Sequence, residues 1–191
     1  MTYHIDNSHL LQGPNVRHAL IQPEATTQAT ITGRTVILHS QAGPRKTFWS
    51  DLVRFMTRAD VVLEAHFLVE MDGLIVQTMP TNRRADCNYK ANPFAWSVET
   101  QDEGSATLAT TGWTLAQVDS IAWICAALGA KYGTLDYSPC ATWLDNGIGY
   151  HSQFKEWSSY TGKTCPGAAR IRQMDGVRQA AAYRHTLICG C

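Results

Sequence analysis

The chain has 191 residues, 45% of them apolar, and its 16 Lys+Arg balance 16 Asp+Glu to a formal net charge of zero. That length and composition suit one compact domain with a sizeable core, expected as a monomer. Charge balance gives no electrostatic reason to expect nucleic acid or an anionic membrane as partner.

No stretch approaches the roughly 20 apolar residues that span a bilayer. The start, Met1-Thr-Tyr-His-Ile-Asp-Asn7, lacks the basic region and apolar run of a signal peptide, so the chain is expected to be made in the cytoplasm without one. Six scattered cysteines in a chain this long read as reduced thiols rather than as a disulfide scaffold. With no repeat or linker, residues 1–191 form one unit.

Residues 1–30 contain the turn formers Gly13-Pro14-Asn15 and a Thr/Ala/Gln stretch, and are expected to form an extended lead-in. Residues 34–39, Arg-Thr-Val-Ile-Leu-His, are β-branched and apolar, the pattern of a buried strand, broken at once by Ser40-Gln-Ala-Gly-Pro44. His39 therefore ends a strand, where side chains reach a cleft. Pro44 fits a helix start, and Phe48, Leu52, Phe55 and Met56 recur at helical spacing as one stripe toward the core.

Residues 61–70 and 74–79 read as strands joined through Met71-Asp72-Gly73. Residues 94–101 read as another strand. Thr114-Leu-Ala-Gln117 is a capping box opening a helix with Val118, Ile121, Ala122, Cys125 and Leu128 on one face, ending near Gly129 and Gly133. Two glycines, Gly147 and Gly149, lead to His151. Cys165-Pro-Gly167 leads into a helical segment through Met174, and a last helix covers about residues 177–187. Strands alternating with helices predict an α/β fold with a central mixed sheet flanked by helices.

Among seven histidines, His39 and His151 stand where the chain turns into a cleft, and Cys165 comes later, inside Gly162-Lys-Thr-Cys-Pro-Gly167. Two imidazoles and a thiolate fill three corners of a zinc tetrahedron and leave the fourth for water, the arrangement of a catalytic site. Pro at the first helical position makes Cys165 the expected helix N-cap, where unpaired N–H groups and the dipole favour the thiolate. By spacing alone, each of these residues reads first as a buried structural side chain rather than as a ligand.

Several segments, in order, resemble the zinc-dependent N-acetylmuramoyl-L-alanine amidases, the type-2 amidase family that includes phage endolysins and peptidoglycan-recognition proteins. They are Thr35-Val-Ile-Leu-His39, Glu64-Ala-His-Phe-Leu-Val-Glu-Met-Asp-Gly-Leu-Ile-Val-Gln77, Trp96-Ser-Val-Glu-Thr-Gln101, and Gly149-Tyr-His151 with Lys163-Thr-Cys-Pro-Gly167. The family-like core spans residues 34–174, and Gly-x-His with a later Lys-Thr-Cys-Pro-Gly is its most specific piece.

The resemblance implies Zn²⁺ on His39, His151 and Cys165, a catalytic Glu99, Lys163 near the developing oxyanion, and peptidoglycan as substrate. It implies cleavage of the amide between N-acetylmuramic acid and L-alanine, and, with no leader visible, a phage lysin acting on the bacterial cell wall after release. The alternative is a non-catalytic peptidoglycan-binding module of the same fold. Where one branch of the family places a catalytic tyrosine, this chain has Ala65-His66, so the branch relying on a glutamate is the closer relative.

Other residues keep two readings. Phe154, Trp157 and Tyr160 either line a substrate groove or form one buried helical face. His66 either bonds substrate or is a satisfied strand histidine. Asp102 and Glu103 are expected to be solvated, and Cys189-Gly-Cys191 to be a frayed end rather than a second metal site.

Overall fold

The run at residues 35–40 forms the strand on which the rest of the chain is built, every residue of it buried. A computed structural model describes residues 2–41, 49–103 and 111–190. In chain order its elements are β1 (His4–Ile5), β2 (Leu11–Gln12), β3 (Val16–His18), α1 (Glu24–Thr27), β4 (Thr35–Ser40), α2 (Trp49–Met56), β5 (Phe67–Val69), β6 (Ile75–Gln77), β7 (Ala95–Thr100), α3 (Leu115–Tyr132), β8 (Gly147–Tyr150), α4 (Ala168–Ile171) and α5 (Met174–Cys189).

Six strands make one sheet in the order β3-β6-β5-β7-β4-β8, with β5 and β6 antiparallel and the other neighbours parallel. The mixed sheet between helices is the α/β architecture expected from the alternation of patterns. The β5–β6 turn is the Met71-Asp72-Gly73 hairpin, with Gly73 at φ 90, a conformation that needs no Cβ. No described helix is long and apolar enough to cross a membrane.

Side chains alternate across the pleat. Val36, Leu38, Trp96 and Val98 point to one face and pack against α3 and α5 through Ile121, Cys125, Leu128, Val177 and Ala181. Ile37 and Ala95 point to the other face and meet Trp157 and Cys140. His39 and Glu99 continue that second series, so the core that buries β4 and β7 also aims both away from the large helices.

The Thr114 capping box forms as expected: the Thr114 hydroxyl accepts from the Gln117 N–H and the Gln117 side chain accepts from the Thr114 N–H. Helix α3 is buried beyond the expected stripe, including Ile124, Ala126 and Ala127, because it has the sheet on one side and α5 and β1 on others. Gly133 closes it in the left-handed conformation, at φ 65.

Several expectations change. The lead-in is built into the fold: β3 is an edge strand of the sheet, and Tyr3, Ile5 and Leu11 join the core. The strand expected over residues 61–70 is paired only at Phe67–Val69. Before it the chain turns aside to bury Glu64, whose carboxylate accepts the Asp86 N–H. In α2, Met56 is buried but Phe55 is 41% exposed, so the stripe splits between core and cleft. Pro44 and Phe48 lie outside the described residues, as does Cys191. The five described cysteines are free thiols.

Candidate metal centre

Strands β4, β7 and β8 run parallel, so His39, Glu99 and His151 all gather at their carboxyl ends, where open α/β sheets form their ligand crevices. His39 pairs in register with Glu99, and the His151 N–H donates to the Leu38 carbonyl just past the end of β8. Cys165 arrives from the loop before α4, its carbonyl accepting the Ser152 N–H. One ligand atom each from His39, His151 and Cys165 lies within 4.8 Å of the others. Three residues distant in sequence thus converge.

Neighbours orient each donor. His39 Nε2 bonds Asn88 Oδ1 at 2.8 Å, and its Nδ1 lies 3.6 Å from Glu99 Oε1. The His151 ring bonds the backbone of Trp157 and stands 4.3 Å, centroid to centroid, from the His39 ring. The Cys165 sulfur accepts the Ser40 N–H at 3.1 Å. Such outer contacts fix ligand orientation in metal sites.

The electrostatics suit a cation. Burial, then the neighbouring His151, hold His39 well below the usual histidine value, and burial together with Lys163 brings His151 down to about 4. Both imidazoles therefore keep a free lone pair at neutral pH. Burial pushes the Cys165 thiol up to about 12, so a thiolate here needs a positive charge in place of its proton. Burial raises Glu99 to about 7, against the opposing pull of Lys163 and Arg170, and its Oε2 has no protein partner.

The expected N-cap role of Cys165 is corrected. Helix α4 begins at Ala168 with Gly167, at φ 96, as its cap, and runs for only four residues. The chain turns at Gly167 rather than at Cys165, so a backbone N–H from β4, not a helix dipole, faces the sulfur.

A cleft of about 350 Å³ exposes the three donors, with Glu99, Lys163 and an apolar wall of Leu52, Phe55 and Met56. A second of about 550 Å³ shares His151, Tyr160 and Lys163 and extends past Tyr89 and Arg84. The two clefts therefore adjoin at His151 and Lys163. Lys163 lies over the Tyr160 ring, its Nζ 4.5 Å from the centroid.

The aromatic trio divides between its two readings: Trp157 is fully buried, whereas Tyr160 is 62% exposed and lines the groove. His66 lies away from the donors as a satisfied histidine, Nδ1 accepting the Ser97 N–H and Nε2 donating to the Arg83 carbonyl. Asp102 is buried, not solvated: it accepts from the Ser40 hydroxyl and faces Arg170 at 4.0 Å, while Glu103 is exposed as expected. Cys189 ends α5 with its sulfur 3.3 Å from His185 Nε2. Asn88, Ser40 and Arg170 carry no local signal in the sequence, since each meets the site through long-range contacts.

Solved structures share this fold. The Staphylococcus aureus hydrolase AmiA in complex with its ligand aligns with a TM-score of 0.69 at 14% identity, covering 94% of this chain and 87% of that one. The endolysin N-acetylmuramoyl-L-alanine amidase LysCS from Clostridium intestinale aligns at 0.60 and 14% identity, covering 86% and 95%. A mutant endolysin from Bacillus subtilis aligns at 0.62 and 16% identity, covering 88% and 99%. No curated protein matches the chain by sequence. The family profile described as N-acetylmuramoyl-L-alanine amidase matches residues 28–168, from before β4 to the start of α4, and the chain belongs to that family.

Proposed function

We propose that the chain hydrolyses the amide between the lactyl group of N-acetylmuramic acid and L-alanine in peptidoglycan, using Zn²⁺ held by His39, His151 and Cys165. The observation that carries this reading is the convergence of three donor atoms within 4.8 Å on the wall of a cleft. Two neutral imidazoles and a sulfur are the donor set zinc prefers, and three protein ligands leave a position open. When bound, zinc supplies a Lewis acid that polarises the scissile carbonyl and brings the pKa of water to about 7.

The chain's own residues do the rest. Glu99, placed beside His39, takes the proton of the attacking water and returns it to the amide nitrogen, which leaves as the amine of L-alanine. Lys163 faces the negative charge that develops on the carbonyl oxygen, held there by the Tyr160 ring. The cleft of the donors adjoins a second one past Tyr89 and Arg84, which suits a substrate that extends beyond the scissile amide.

Two endolysins among the similar folds support a lytic role on the bacterial cell wall after release. Digestion of purified cell walls tests the activity: mass spectrometry is expected to find peptides with a free N-terminal L-alanine. A chelator is expected to stop their release and zinc to restore it. Wall binding without release makes the chain a binding module instead. Near-stoichiometric zinc retained in both His39→Ala and Cys165→Ser overturns the metal assignment.

A further inference from the structure

We infer that Asn88 decides which nitrogen of His39 faces the metal, its carboxamide oxygen taking the Nε2 proton so that the Nδ1 lone pair is left for the ion. The inference rests on the proposed zinc site. His39 is 1% exposed and its two ring nitrogens have different surroundings: Nε2 meets Asn88 Oδ1 at 2.8 Å, and Nδ1 looks toward Glu99 at 3.6 Å. A neutral imidazole carries one proton, and the hydrogen bond made by one nitrogen fixes the role of the other. With Nε2–H donating to Asn88, Nδ1 is the ligand atom.

One contact favours the carboxamide with its oxygen toward His39. The Cys87 sulfur lies 4.0 Å from the same oxygen as a second, weak donor. Asn88 is fully buried, and its Nδ2 has no protein partner.

The loop is built to hold this one side chain. The Asn88 N–H donates to Asn92 Oδ1 at 2.7 Å, and Asn92 Nδ2 donates to Asp86 Oδ1 at 3.1 Å. Tyr89, the next residue, is held at φ 50, a region disfavoured for a non-glycine residue and tolerated only where surroundings impose it. The acceptor is also neutral. A carboxamide orients His39 without adding a charge of its own. Asn88 is thus a positioning residue, which neither binds metal nor touches substrate.

The test compares the wild-type chain with Asn88→Leu, which keeps the branched side-chain shape and removes the acceptor, and Asn88→Asp, which keeps an acceptor. Zinc affinity is read by competition with a chromophoric chelator. Asn88→Leu is expected to weaken binding roughly 10- to 100-fold, the usual effect of losing such a partner, and Asn88→Asp to stay within about threefold of wild type. Imidazole ¹⁵N shifts of the wild-type protein read the tautomer without any variant, and are expected to give His39 as Nε2–H before zinc is added and Nδ1-ligated after.

Wild-type zinc affinity in Asn88→Leu, an equal loss in Asn88→Asp, or ligation through Nε2 overturns the role of Asn88 and leaves the zinc reading standing. A wild-type chain that takes up no zinc overturns both.

Discussion

His39 and Glu99 stand opposite each other in the parallel register of β4 and β7, with Nδ1 3.6 Å from Oε1. The ladder that buries Val36 beside Trp96 and Leu38 beside Val98 therefore also sets a donor imidazole next to a carboxylate. Glu99→Gln preserves that volume and removes the base. It is expected to keep near-stoichiometric zinc while kcat on a soluble muramyl peptide falls at least about 100-fold with KM little changed. Zinc content and steady-state kinetics check this, and loss of metal would make Glu99 a ligand.

Lys163 and Tyr160 act as a pair, the ammonium 4.5 Å from the ring centroid at the rim of the cleft. Lys163→Met is expected to lower kcat about 100-fold without releasing zinc, the scale found for losing one charge-stabilising donor. A partly exposed cation–π contact is worth about 0.5–1 kcal/mol. Tyr160→Leu is thus expected to lower kcat roughly two- to fivefold, while Tyr160→Phe, which keeps the ring, leaves it unchanged. Kinetics on the same soluble substrate separate the three.

Stability toward acid is expected to depend on His66. Burial brings its pKa down to about 4, below the value of about 6.5 in an unfolded chain. Between those values the unfolded chain binds the proton and the folded one does not. The stability due to a neutral His66 is therefore full above about pH 6.5 and lost as pH falls toward 4, by about 3 kcal/mol over that range. Urea titrations across that range, run on wild type and on His66→Gln with its zinc occupancy matched, are expected to give a shallower acid slope in the variant by this amount. Parallel slopes would show that His66 does not titrate as its burial demands.

Gly149 is where strand packing meets the site. A Cβ there would lie 2.6 Å from Trp157 Cη2, and Trp157 is fully buried with its indole N–H donating to the Trp143 carbonyl at 3.1 Å. The backbone of Trp157 also bonds the His151 ring. Gly149→Ala is expected to destabilise the fold by about 1–3 kcal/mol through overpacking and to weaken zinc binding by displacing His151. Denaturant titration and chelator competition read the two effects separately, and a stable variant with unchanged zinc affinity would count against that linkage.

The sequence by itself determined the elements that local chemistry dictates. The apolar run at residues 34–39, the Asp72-Gly73 hairpin and the Thr114 capping box each write a strand, a turn or a helix start into neighbouring residues, and each stands in the fold, the strand one residue later at Thr35–Ser40. Strand ends and glycine turns pointed to His39 and His151, while the family resemblance was needed to single out Glu99 and Lys163; the fold brings all of these and Cys165 to the wall of one cleft. Where those ends meet is another matter. Register across β4, β7 and β8, the Asn88 carboxamide behind His39, the Ser40 N–H on the Cys165 sulfur and the buried Asp102 beside Arg170 are contacts between residues dozens of positions apart. No local pattern encodes them, since they exist only once the hydrophobic faces of the sheet have closed. The same closure set the electrostatics: a helix end at Cys165 would favour the thiolate, whereas burial raises the thiol instead, so that a charged sulfur there needs a cation beside it.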